Sequence, residues 1–255
     1  MELGLQRQAV IVTGAASGIG AAIARMLAAE GVGALLLTDR DGPGLDRITD
    51  ELAGTARATV VADLADAAAP AAIAAAAADR FGRIDGLVNA AGLTTRGSFL
   101  TGTALLWDQL FAVNARAGFL LMQAAIRDMT ARGAGGAIVN ILSMNAHCGI
   151  PDLAIYAGSK GAMVTLTKNA AHAHMADRIR VNGINLGWVA TETEDRLQSA
   201  LLGPDWEAQV AAAEPLGRLV TAEECARLAT FLLSDASVPM SGAVIDFEQR
   251  VAGAR

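Results

Sequence analysis

Cysteine is scarce: Cys148 and Cys225 are the two in 255 residues, far apart and without C-x-x-C or zinc-like spacing. That excludes a disulfide framework and a structural zinc site, and it predicts reduced thiols in a reducing compartment. Basic clusters are missing too. The formal charge is -6 with no run of Lys or Arg, which excludes a nucleic-acid surface, because phosphates need a basic face to neutralise them. Nor is there a membrane span: the longest uncharged stretch, 133–151, carries Asn140, Ser143, Asn145 and His147, and Pro70 breaks the Ala-rich run after Asp66. The N-terminus lacks a basic region followed by a long apolar one, so no cleaved leader and a cytoplasmic location are expected. Tyrosine is the rarest of all, with Tyr156 standing alone.

Apolar residues and glycine are plentiful. A chain that is 53% hydrophobic, with 27 glycines and 18% charged residues, can bury one large core. Continuous apolar runs at 9–13, 34–38, 58–62, 84–88, 137–141 and 179–184 alternate with segments of helical period at 19–29, 43–52, 67–81, 105–132 and 153–175. T-A-E-E at 221–224 has the capping-box pattern that opens another helix. Unbroken apolar strands read as parallel and covered on both faces. The alternation therefore predicts a single α/β domain, a doubly wound parallel sheet of about seven strands, with its ligand beyond their carboxyl ends. Residues 187–217, containing Trp188, Trp206 and the punctuators Gly203, Pro204, Pro215 and Gly217, break the rhythm and read as a lid.

Chemistry is expected just after each strand. TGAASGIG follows the first, with Gly14, Gly18 and Gly20 where a strand turning tightly into a helix lets the backbone approach a pyrophosphate. Asp39 ends the second strand and can accept from ribose hydroxyls while repelling a 2'-phosphate, which favours NAD over NADP; its neighbour Arg40 reads as a solvated loop charge. Asp63, after the third strand, either meets the adenine or caps the helix from Ala65. Asn89, Ala90 and Gly92 in NAAG leave room for a flat ring at the sheet edge. Ser143 follows the fifth strand, thirteen residues before Tyr156, and Lys160 lies one helical turn after Tyr156. A phenol with a pKa of about 10 is a poor base at neutrality, and a neighbouring ammonium would lower it.

Together, TGAASGIG, Asp39, NAAG, Asn114 within FAVNARAG, Ser143 and Y-A-G-S-K resemble the short-chain dehydrogenase/reductase family over most of the chain. The resemblance implies a Rossmann-like domain binding NAD(P), assembled as a homotetramer or homodimer, that turns over a small-molecule substrate. It implies a catalytic tetrad of Asn114, Ser143, Tyr156 and Lys160, with Asn114 holding a water that links Lys160 to solvent. It places the dinucleotide along Gly14, Ser17, Gly18, Ile19, Gly20, Asp39, Asp63, Leu64, Asn89, Ala90, Gly92, Tyr156, Lys160, Val189 and Thr191. Two departures stand out: Leu186 precedes Gly187 where the family usually has proline, and SGAVIDFEQRVAGAR replaces the usual glycine pair of the tail.

The substrate wall is expected from Ser143, Asn145, His147, Tyr156 and Trp188, with Thr94 and Arg96 from the loop after NAAG. This set, rich in hydrogen-bonding groups, points to a sugar, sugar alcohol or similar polyhydroxylated compound. The competing readings are an NADP-dependent carbonyl reductase and a non-catalytic dinucleotide sensor, which the same fold permits. The intact tetrad speaks against the sensor.

Overall fold

Aliphatic runs form the sheet and alanine-rich runs form the helices around it. The computed structural model describes residues 2–52 and 54–253. In chain order the elements are β1 (Ala9–Thr13), α1 (Gly18–Ala29), β2 (Ala34–Asp39), α2 (Gly42–Glu51), β3 (Ala56–Val61), α3 (Ala69–Phe81) and β4 (Gly86–Asn89). Then come α4 (Ala104–Phe111), α5 (Ala117–Arg132), β5 (Gly136–Ile141), α6 (Ala154–His174) and β6 (Ile179–Leu186). The last are β7 (Val189–Ala190), α7 (Glu192–Leu202), α8 (Trp206–Ala211), β8 (Val220–Thr221), α9 (Ala222–Leu233) and β9 (Val244–Phe247).

Seven strands form one sheet in the order β3-β2-β1-β4-β5-β6-β9, every pairing parallel. The doubly wound prediction holds, and the order reverses between β1 and β4. Side chains alternate across β2, so Leu35 and Leu37 enter the core shared with Ile23, Leu27, Leu45 and Leu232, while Leu36 enters the opposite core with Ile73, Leu121 and Ile138. Each fully buried leucine contributes about 1.5–3 kcal/mol. The two cores are what hold the strand ends, and everything seated on them, in place.

Several boundaries differ from the sequence reading, each for a tertiary reason. The stretch predicted as one helix over 105–132 is interrupted by a π-helical turn at Ala112–Arg116, where the backbone loosens around the buried Asn114. β4 starts at Gly86 and not at Ile84, because Asp85 turns inward to accept from the Ala9 amide at 2.9 Å and pairs with Arg83 and Arg132. β3 is an edge strand with alternating exposure, so it is not covered on both faces. Residues 187–221 are not a loop. They hold two helices and a short bridge in which Val189 pairs with Val220. The predicted capping box is present: Thr221 accepts from the Glu224 amide and Glu224 from the Thr221 amide.

Candidate active site

The carboxyl ends of β1, β2, β4, β5 and β6 form one rim, and the predicted site residues lie along it. The glycine turn comes first. Gly14 sits at φ 67°, and a Cβ there would come within 2.9 Å of the Ala91 backbone; a Cβ at Gly20 would lie 2.1 Å from the Gly14 carbonyl oxygen. Only glycine permits this approach of turn, helix and β4. Ser17 begins α1 with an extended backbone and no side-chain cap, so the first amides of a twelve-residue helix are left for an anion. These features fit a pyrophosphate.

Asp39 ties the neighbouring turns together. One carboxylate oxygen accepts from the Ala16 amide and the other from the Asp41 amide, both at 3.1 Å, which leaves a lone pair on each for a ribose hydroxyl. Arg40 is exposed beside it. Asp63 is exposed and its carboxylate accepts from the Ala65 amide within a turn; α3 begins only at Ala69 and without a side-chain cap, so the expected N-cap at Asp63 is not formed. Leu64 is buried, and Ile19 packs against the core beneath α1. NAAG is fastened by Thr13, whose hydroxyl oxygen accepts from the Ala90 and Ala91 amides at 3.0 Å each. Asn89 donates to Asn140 and keeps its own buried oxygen without a partner. Gly92 lies against Lys160 and Asn114: a Cβ there would be 3.4 Å from Lys160 Nζ.

Tyr156 and Lys160 occupy one face at the start of α6, with Lys160 Nζ 5.9 Å from the phenol ring centroid and donating to the Ile141 carbonyl at 2.8 Å. Ser143, two residues beyond β5, stands close enough to the phenol to favour its ionised form. The Ser143 oxygen accepts from the Asn145 amide at 3.1 Å and the Asn145 side chain at 3.3 Å. Asn114 accepts from the Leu93 amide, donates to the Leu93 carbonyl at 2.9 Å and to Ser159 at 3.0 Å, and so pins the loop after NAAG to α6. All four tetrad residues are at least nine-tenths buried. A cavity of about 10 Å³ lies between Lys160, Asn114, Asn89 and Thr13.

The electrostatics depart from the expectation for the phenol. Burial pushes Tyr156 up, outweighing the Ser143 hydroxyl that pulls it down, and the negative charge of Glu194 adds to the rise. Burial pulls Lys160 down to about 8. The protein interior therefore sets the phenol above the ammonium and drives the two apart, instead of acidifying the tyrosine.

The expected substrate residues divide. His147 is half-exposed, with Nε2 2.8 Å from Asp246. Asn145 is engaged within its loop, accepting from Ile150 while donating to Ser143. Arg96 is paired with Asp152, which fastens its loop to the turn that precedes α6; Thr94 is exposed. Trp188 donates to Glu194 at 2.8 Å and its ring lies 5.7 Å from that of Trp206, which donates to Asp195. Thr191 caps α7 by accepting from the Glu194 amide, and its methyl faces Gly18 across the gap to the glycine turn. Asp246, Asn185 and Glu194 escaped the sequence reading. Asn182 and Asn185, polar interruptions in the apolar β6, were the available signal.

The family model described as enoyl-(acyl carrier protein) reductase matches residues 14–248. Among curated relatives, the "inactive 2-(S)-hydroxypropyl-CoM dehydrogenase 2" of Xanthobacter autotrophicus is 39% identical, with 82% of this chain and 90% of the relative covered. The galactitol 2-dehydrogenase (L-tagatose-forming) of Cereibacter sphaeroides is also 39% identical, with 92% and 91% covered. The crystal structure of L-sorbose reductase from Gluconobacter frateurii, complexed with NADPH and L-sorbose, superposes with a TM-score of 0.94 at 28% identity over the whole of both chains. With relatives matched along nearly its full length, this chain belongs to the short-chain dehydrogenase/reductase family and is an oxidoreductase of CH–OH groups.

Proposed function

We propose that the protein interconverts a secondary alcohol of a sugar alcohol or sugar and the corresponding ketone, using NAD(H), with Tyr156 as general acid/base. The observation that carries this reading is the meeting of Tyr156, Ser143 and Lys160 in one buried spot at the sheet rim, next to an uncapped glycine turn. The galactitol and sorbose enzymes among its relatives support the substrate class.

When bound, the nicotinamide supplies the acceptor for the hydride from the alcohol carbon. Tyr156 takes the hydroxyl proton. Ser143 Oγ already accepts twice from Asn145, so its own hydrogen is left to point at the substrate oxygen or the phenol. Lys160 is held by the Ile141 carbonyl, and its two further N–H groups can supply positive charge to the phenolate and donors to the ribose. The small cavity beside Lys160 and Asn114 is about the size one water needs, which supports a relay from Lys160 outward. Because burial raises the phenol, the rate of alcohol oxidation rises with pH. Residues 187–217 act as the lid over this site. The exposed Leu105, Trp107 and Phe119 on α4 and α5 support assembly as a homodimer or homotetramer.

Asp39 carries the preference for NAD. The exposed Arg40 beside it favours the second reading, an NADP-dependent carbonyl reductase. A spectrophotometric screen of polyols, ketoses and hydroxy acids with both cofactors separates them. Turnover of polyols with NAD at least about tenfold more efficient than with NADP is expected. Turnover with NADP alone would overturn the Asp39 reading, and no turnover of any secondary alcohol would overturn the substrate class.

A further inference from the structure

Ser143 begins a polar row that crosses the sheet rim from β5 to β9. His147 follows it by four residues, Asn185 stands near the end of β6, and Asp246 lies opposite Asn185 in the β6–β9 register. One oxygen of Asp246 accepts from His147 Nε2 and from Asn185 Nδ2, both at 2.8 Å. Asn185 Nδ2 is also 3.2 Å from His147 Nε2. The carboxylate is the stronger acceptor, so Nε2 carries the hydrogen of this bond. Burial opposes charge on Asp246, yet the His147 and Asn185 bonds keep it below the usual carboxylate range. Asn185 is fully buried and its oxygen has no partner.

Asp246 also lines a cleft of about 210 Å³ beyond this row, together with Arg218, Val220, Glu224, Phe247 and Glu248. Its only cation is neutralised in place: Arg218 binds both oxygens of Glu224, at 2.9 and 2.7 Å. Asp246 and Glu248 each keep one carboxylate oxygen without a side-chain donor, beside the apolar Phe247 and Val220. The Glu248 carboxylate packs on Gly187, where a Cβ would come within 1.9 Å of it, so the cleft abuts the end of β6 next to Trp188.

Resting on the proposed function, we infer that this cleft receives the far end of the substrate, that it takes an uncharged polyol chain in preference to a sugar acid, and that Asp246 is the specificity-determining residue. Hydroxyl hydrogens find acceptors at Asp246 and Glu248, and the C–H faces find Phe247 and Val220. A terminal carboxylate meets two like charges and no free guanidinium, which is selection by repulsion as much as by attraction.

The test compares galactitol with galactonate, and threitol with threonate, by kcat/KM with NAD and by saturation-transfer NMR in the presence of NADH. The parent should favour the alditol by about 30-fold or more, and Asp246→Asn should shrink that ratio by about tenfold, mainly by lowering the KM for the aldonate. Glu248→Gln, which leaves the β6–β9 contacts intact, should move the ratio the same way and covers the case in which Asp246→Asn does not fold. Turnover with the ratio unmoved in both variants overturns the subsite and leaves the oxidoreductase reading standing. Alditol binding that is weakened by Asp246→Asn, without turnover, upholds the subsite while that reading fails. Equal use of both substrates by the parent, or binding of neither, overturns the subsite.

Discussion

At the residue scale, a lone tyrosine followed four positions later by a lysine placed two side chains on one helical face, and only Ser143, the glycine turn and NAAG beside them turned that pair into a candidate site. Their energetics were not legible. The direction of each proton affinity depends on burial, which only the packed α6 and β5 define, and burial raises the phenol while it brings Lys160 to about 8. Lys160 in an unfolded chain sits near 10.5, so the unfolded state keeps its proton longer than the folded one. The group therefore destabilises the fold in full below pH 8, and that penalty is relieved as the pH rises toward 10.5. Lys160→Met should stabilise the cofactor-free protein at pH 7 by about 3 kcal/mol, less about 1 kcal/mol for the lost bond to Ile141. Urea denaturation of parent and variant at pH 7 and at pH 10.5 checks this; the gap must shrink at the higher pH. A gap that stays constant or widens contradicts a depressed lysine. Asp246 and Asn185 stayed hidden for a different reason, since they meet only through the pairing of β6 with β9, about sixty residues apart in sequence.

At the element scale, the alternation of apolar runs with helical segments was legible throughout, and six of the seven sheet strands were placed within two residues at their starts. The seventh, β9, fell inside the unusual tail SGAVIDFEQRVAGAR and was not delimited. Breaks imposed by tertiary contact were not visible: the π-helical turn exists because Asn114 must reach both Leu93 and Ser159. Two glycines show how the surroundings decide the cost of a side chain. A Cβ at Gly187 would lie 1.9 Å from the Glu248 carboxylate, the movable end of a side chain; one at Gly20 would lie 2.1 Å from a carbonyl fixed in the turn. The shorter contact is thus the cheaper one. Gly20→Ala should cost about 1–3 kcal/mol and abolish detectable cofactor binding, while Gly187→Ala should stay within about 1 kcal/mol of the parent. Thermal unfolding and calorimetric titration with NAD measure both. Equal losses would mean that the turn is soft.

At the scale of the whole molecule, the doubly wound sheet explains why residues as distant as Gly14, Asn114, Ser143 and Lys160 converge, because parallel strands carry all their carboxyl ends to one rim. The topology followed from the βαβ pattern, and the helical content of 187–221 did not, because Gly and Pro punctuation there bounds two short helices instead of marking a loop. Convergence matters only if the buried phenol moves a proton. Tyr156→Phe keeps the ring and removes one oxygen, so cofactor affinity measured by calorimetry should stay within about twofold of the parent while kcat for alditol oxidation falls by about 10³-fold or more. A variant that binds NAD as the parent does and turns over at a comparable rate would contradict the assignment of the base.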